Sequence, residues 1–171
     1  MSADHISRIL AALNQENVRY VVVGGVAVVL HGHLRFTADL DLVLALDREN
    51  VLAAMSALQD LGFRPRPPVR AEQFAEADTR AEWVREKGMT VFSLWSPTLP
   101  GTDVDLFAEE PIPFTALAAR AHPMALAGLT VPVASIPDLI TLKRMAGRPT
   151  DLEDIAALER IALSLKGERE E

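Results

Sequence analysis

The chain has 171 residues with 49% hydrophobic content and only 5% aromatics, so aliphatic side chains and alanine must build its core. A formal net charge of −7 disfavours a broad electrostatic footprint for nucleic acid, and the absence of cysteine excludes disulfides and thiolate zinc sites. No apolar run is long enough to cross a bilayer, and MSADHISRIL lacks a signal-peptide pattern, so a cytoplasmic protein with no membrane association is expected.

Ile6, Ile9, Leu10 and Leu13 recur at helical spacing and predict an amphipathic helix over about 4–16. Tyr20 to Val23 read as a short buried strand, broken by Gly24-Gly25, after which Val26 to Leu30 read as a helix. Asp39 to Ala45 is a second strand, and Val51 to Leu61 a helix stopped by Gly62. Pro65, Pro67 and Pro68 predict a stiff extended loop, and Ala71 to Lys87 a polar, partly helical stretch. Strands follow at Met89–Trp95 and Thr102–Phe107, then a helix at Phe114–Ala121 and a strand at Leu129–Val133. Ser135, Pro137 and Asp138 are a helix-start signature for a helix running to Met145, with Gly147 as its stop. Pro149 opens a last helix whose buried stripe is Ile155, Leu158, Ile161 and Leu165, and Lys166 to Glu171 reads as its frayed end. The expectation is one α/β (α+β) domain over 1–171. A mixed β-sheet core, flanked by helices, occupies about 18–135, and a C-terminal helical part about 136–165.

A strand, a Gly-Gly turn and a helix make a place where an anion can sit, because glycine admits close approach and the first helical N–H groups are free. Asp39 and Asp41 share one face of their strand, and Asp103 and Asp105 repeat the pattern in TDVDLF. Composition predicts roughly one Asp-x-Asp by chance, and this chain has a second one, also within a strand. Carboxylates held a few ångströms apart repel unless one is protonated or a cation lies between them. Two from one strand and a third from its neighbour suit a pair of hard divalent cations clamping a phosphoryl group.

The order Gly24-Gly25, helix, Asp39-Leu40-Asp41, later strand with Asp105 resembles the DNA polymerase β-like nucleotidyltransferase superfamily. More narrowly, GGVAVVLHGHLRFTADLDLVL and SIPDLITLKRMAGRPTDLEDIAAL are similar to minimal bacterial members grouped with AbiEii-type nucleotidyltransferase toxins, over about residues 18 to 160. The resemblance implies a mixed-sheet nucleotidyltransferase core and transfer of NMP from an NTP, with ATP binding among the possibilities, to an acceptor hydroxyl, with pyrophosphate released. Asp39, Asp41 and Asp105 would ligate two Mg2+ (or Mn2+) ions, Asp105 also activating the acceptor, with Asp103 the alternative third carboxylate. Gly24 and Gly25 would lie under the triphosphate. Many relatives carry serine at the second position, so here backbone N–H groups and cations would bind the phosphates. Lys143 would contact phosphate or stabilise transition-state charge, Arg35 would touch phosphate or support its loop, and Asp151 would belong to the nucleotide site. Asp154 matches the second acidic position of that motif and could pair with Lys143 or Arg148.

Toxin-like relatives imply tRNA or another macromolecule as acceptor, and a cognate antitoxin as partner. The alternatives are a small-molecule, antibiotic-type nucleotidyltransferase, or a non-catalytic nucleotide- or partner-binding module on the same fold. The Arg64, Arg66 and Arg70 cluster reads as solvated surface, and His31 and His33 as loop histidines without a third metal ligand.

Overall fold

The computed structural model describes residues 2–167. In chain order it contains α1 (Ala3–Gln15), β1 (Tyr20–Val23), α2 (Gly24–Leu30), β2 (Asp39–Leu44), α3 (Arg48–Asp60) and β3 (Arg64–Pro65). A 3-10 turn (Ala71–Ala75) leads to α4 (Ala77–Lys87), β4 (Val91–Trp95), β5 (Asp103–Phe107), α5 (Phe114–Arg120), β6 (His122–Leu126) and β7 (Leu129–Val133). The helices α6 (Ile136–Ala146) and α7 (Pro149–Gly167) complete it. Of the expected frayed end, Lys166 and Gly167 belong to α7 and the rest lies outside the described residues.

All seven strands form one mixed sheet in the order β3-β4-β5-β2-β1-β7-β6. The pairs β2–β5 and β1–β7 are parallel, and the remaining neighbours are antiparallel. At the centre, β1 is buried along its whole length, as its unbroken Tyr-Val-Val-Val run requires. The expected stripe of Ile6, Ile9, Leu10 and Leu13 is buried on α1. Aliphatics dominate the core, joined by a stack in which Phe92 lies between Phe74 (4.7 Å) and Trp83 (5.7 Å between centroids). Buried Asn50 ties β1 to β2: its Oδ1 accepts from the Arg19 N–H at 2.8 Å, and its Nδ2 donates to the carbonyls of Arg19 (2.9 Å) and Ala45 (2.8 Å).

Four details differ from the expectations. Helix α3 starts earlier, at Arg48, because the Asp47 carboxylate caps it by accepting from the Asn50 N–H. The proline-rich loop contains β3, which pairs Arg64 with Trp95 and Pro65 with Leu94. A strand absent from the sequence reading, β6, forms a hairpin with β7. It contains Pro123 and shows no apolar alternation, which is tolerable because it lies at the sheet edge. Its two-residue turn holds Ala127 (φ +50°) and Gly128 (φ +82°), and Ala-Gly lacks the Asn-Gly signature that usually advertises such a turn. On α7, Ile155 and Leu158 are buried and Ile161 is partly so, but Leu165, near the end of the helix, is exposed.

Candidate active site

Strand β2 runs parallel to β5 with Asp39 opposite Asp103 and Asp41 opposite Asp105. Period-2 alternation buries Leu40, Leu42, Val104 and Leu106 on one face and turns all four carboxylates to the other. The acids therefore form a patch because two Asp-x-Asp strands are in register. Asp39, Asp41 and Asp105 line one cleft, together with Gly24, Gly25, Arg35, Lys143 and Asp151. Asp103, the alternative third carboxylate, is not in that lining: it is held by the guanidinium of Arg66, so this member of the arginine cluster is paired.

Gly24 stands at φ +65°, the left-handed region that disfavours residues with a Cβ. A Cβ there would also lie 2.0 Å from Asp41 Oδ2, so the strand-to-helix turn and the carboxylate pack directly on each other. A Cβ on Gly25 would meet Thr37 Oγ1 at 2.4 Å and Arg35 at 2.9 Å. Side chains from the segment before β2 fill the space beside Gly25. The glycines are themselves the first residues of α2, and that helix has no side-chain cap. Burial pushes the Asp41 carboxyl up to about 7, with Asp105 and Asp39 adding to the rise, while Lys143 and the Gly25 N–H pull it back. Asp105 is likewise raised, by burial and by Asp39 and Asp103, against the pull of Ser93 and Arg66.

Lys143 is far from an exposed helix lysine. It is 5% exposed, and its ammonium lies 2.7 Å from Asp154 and 3.0 Å from Asp151. Asp154 is wholly buried and also receives Arg35, at 2.7 Å through Nε and 2.9 Å through a terminal nitrogen. Asp151, 1% exposed, accepts from Arg148 through its backbone N–H (3.1 Å) and Nε (2.8 Å). This network joins α6, α7 and the segment before β2. Burial raises the Asp151 carboxyl, but the hydrogen bonds from Arg148 and Lys143 outweigh it and hold it at about 2, below its ordinary 3.8. A depressed carboxylate contributes stability above the unfolded value, and that contribution is lost as pH falls through the folded one. Wild type should therefore lose Tm steeply between pH 4 and pH 2. Asp151→Asn should be less stable at pH 6 and show a flatter profile over that range.

The His31 Nε2–H donates to the Ala134 carbonyl (2.8 Å), and His33 lies 4.0 Å from Asp154, so both histidines make structural contacts with distant parts of the chain. Thr37, Phe36 and Phe107 also line the cleft without having been singled out from the sequence, and Arg148, expected as a possible partner of Asp154, lines it too but pairs with Asp151. Thr37 could have been suspected from its nearness to Asp39-Leu40-Asp41, but an aromatic at the cleft carried no signal.

Among the described residues, no three His, Asp or Glu side chains sit close enough to hold a metal ion unaided. The donor set nonetheless suits a hard cation. All its members are carboxylates, two of them are raised by burial and mutual repulsion, and magnesium usually takes only one or two protein carboxylates, completing its shell with water and phosphate oxygens.

Several solved structures share the architecture. The lincosamide antibiotic adenylyltransferase LnuA, lincomycin-bound, aligns with TM-score 0.62 and 17% identity over 94% of this chain and 98% of its own. The factor ANT(2")-Ia in complex with adenylyl-2"-tobramycin aligns with TM-score 0.61 and 18% identity over 94% of this chain and 92% of its own. An antigenic nucleotidyltransferase-like protein from Paracoccidioides brasiliensis aligns with TM-score 0.52 and 15% identity, covering 90% and 74%. These likenesses define a nucleotidyltransferase fold. The chain belongs to the AbiEii family, the nucleotidyl transferase toxins of type IV toxin–antitoxin systems, whose profile matches residues 8–169. A search of curated proteins gave no match. The protein is thus a nucleotidyltransferase, and no described helix is long and apolar enough to cross a membrane.

Proposed function

We propose that the protein transfers a nucleoside monophosphate from an NTP to a hydroxyl of a macromolecular acceptor, tRNA first among them, releasing pyrophosphate. The observation that carries this is the meeting, in one cleft, of the Gly24-Gly25 helix start and the in-register carboxylates of β2 and β5. The N-terminal turn of α2, which has no side-chain cap, receives the triphosphate, with the Gly25 N–H turned from Asp41 to phosphate as cations neutralise the carboxylate. Asp39, Asp41 and Asp105 would hold two magnesium or manganese ions together with the phosphate oxygens, and such ions would supply neutralisation of the phosphate charge. Asp105, raised by its surroundings, accepts the proton of the acceptor hydroxyl. A bond forms from that oxygen to the α-phosphorus as the bond from the α-phosphorus to the bridging oxygen breaks, and pyrophosphate leaves. Lys143 and Arg35 present fixed positive charge beside the phosphates. Asp151 acts on the nucleotide through Lys143 and Arg148, since its own oxygens are committed to them. Family membership supports a toxin neutralised by a cognate antitoxin in the cytoplasm.

A small-alcohol acceptor is the second reading, favoured by the net charge of −7 and by the antibiotic adenylyltransferases that share the fold. Incubation with each of the four α-labelled NTPs, magnesium and total cell RNA should place label in the RNA fraction. Label only in a pool of small hydroxyl compounds would replace the macromolecular acceptor by the second reading. Label in neither, with intact protein, would remove the transfer activity altogether.

A further inference from the structure

The segment between α2 and β2 alternates in a way its burial makes legible. Arg35 points inward to the fully buried Asp154, and Thr37 packs where a Gly25 Cβ would be. Leu34 and Phe36 point the other way, 84% and 79% exposed. The segment is tied down at several points. Arg35 donates to Asp154 (2.9 Å) and to the Phe36 carbonyl (2.8 Å), and the Thr37 hydroxyl reaches the Asp39 carbonyl (3.4 Å). An aromatic ring is thus left in water on a backbone anchored by a buried ion pair, at the lip of the cleft that holds Asp39 and Asp41. Burying Phe36 in the core would be the ordinary outcome for such a side chain.

We infer that Phe36 is the stacking platform for the nucleobase of the NTP, a subsite of the cleft that leaves Gly24-Gly25 and the carboxylates to the triphosphate. This rests on the proposed NTP-dependent reading. Three features favour a base over other occupants. Phe36 is part of the lining of the same cleft as the phosphate-binding turn, so one molecule can engage both. Every base has a π-face, and stacking on an aromatic tolerates any of the four. The Asp154–Arg35 strut fixes the backbone that carries the ring before the ligand arrives, which lowers the ordering cost of binding.

The test measures binding of a non-hydrolysable NTP analogue and of inorganic tripolyphosphate, each with magnesium, to wild type, Phe36→Ala and Phe36→Trp. Because the ring is exposed, neither substitution should alter the Tm. Phe36→Ala should weaken the nucleotide analogue by about 10-fold or more while leaving tripolyphosphate unchanged, and Phe36→Trp should retain nucleotide affinity. Equal nucleotide affinity in wild type and Phe36→Ala, with tripolyphosphate still bound, would overturn the stacking role alone. A rise in acceptor KM without any change in nucleotide affinity would also overturn it, by assigning the ring to a base of the acceptor. Failure of the wild type to bind either probe would overturn both the stacking role and the NTP-dependent reading.

Discussion

Asp41→Asn should abolish nucleotidyl transfer while making the metal-free protein more stable at pH 8. The loss follows from removing one of two proposed cation ligands on β2, and a decrease beyond 1000-fold, on the order of 4 kcal/mol, is expected. The gain follows from the position of the carboxyl. Its folded value, about 7, lies above its ordinary 3.8, because burial and the neighbouring Asp105 and Asp39 oppose ionisation. Between those values the unfolded chain has released the proton while the folded protein still holds it, so stability falls as pH rises through that window. Above it the folded state carries the full cost, roughly 1–3 kcal/mol once the solvent at the open side of the cleft is allowed for. Thermal melts of chelator-treated protein should therefore show Asp41→Asn above wild type at pH 8 and level with it near pH 3. Magnesium should raise the wild-type Tm at pH 8 and leave that of the variant unchanged. A variant less stable than wild type at pH 8 would mean that the carboxylate is satisfied within the fold and needs no cation.

Lys143→Met should be the most destabilising single change in the cleft. Truncating it removes the ammonium shared by Asp151 and Asp154, 1% and 0% exposed, leaving each with a single guanidinium partner (Arg148 and Arg35), and the loss should approach the roughly 3–5 kcal/mol of a broken buried ion pair. The companion substitution Asp154→Asn should restore part of that loss, since the amide can still meet Arg35 without carrying charge. The pair should therefore couple in a double-mutant cycle measured by urea unfolding. A Lys143→Met cost within about 0.5 kcal/mol, the value for an ordinary surface lysine, would show that the network does not persist in solution. Activity should fall in Lys143→Met and remain low in the double variant, because the restored charge balance does not replace a cation beside the phosphates.

The site was more legible in the sequence than the sheet around it. Gly24-Gly25 and the two Asp-x-Asp strands are local patterns, and period-2 alternation obliges each pair of acids onto one face. Only the parallel register of β2 with β5 had to come from the fold, and it sets Asp41 beside Asp105 and Asp39 beside Asp103. The Lys143–Asp154 pair was among the alternatives legible in the sequence, but its burial and the second partner, Asp151, were not, because they depend on how α6 packs against α7. Asp103 could not be separated from Asp105 by pattern, since the discriminating group, Arg66, belongs to a different strand region. Strands β3 and β6 were missed because both contain proline, and both are edge strands whose pairing depends on a partner. Phe36 carried no sequence signal, since an aromatic in an alternating segment reads equally well as core.

The most direct measurement follows the fate of two labels in one reaction with RNA acceptor and magnesium. NTP labelled at the α-phosphate should pass label to the acceptor, whereas NTP labelled at the γ-phosphate should release it as pyrophosphate. Asp39→Asn, Asp41→Asn and Asp105→Asn should each abolish the first signal. Transfer of the γ-label to the acceptor, or undiminished α-label transfer by all three variants, would contradict the assignment of the in-register carboxylates as the catalytic centre.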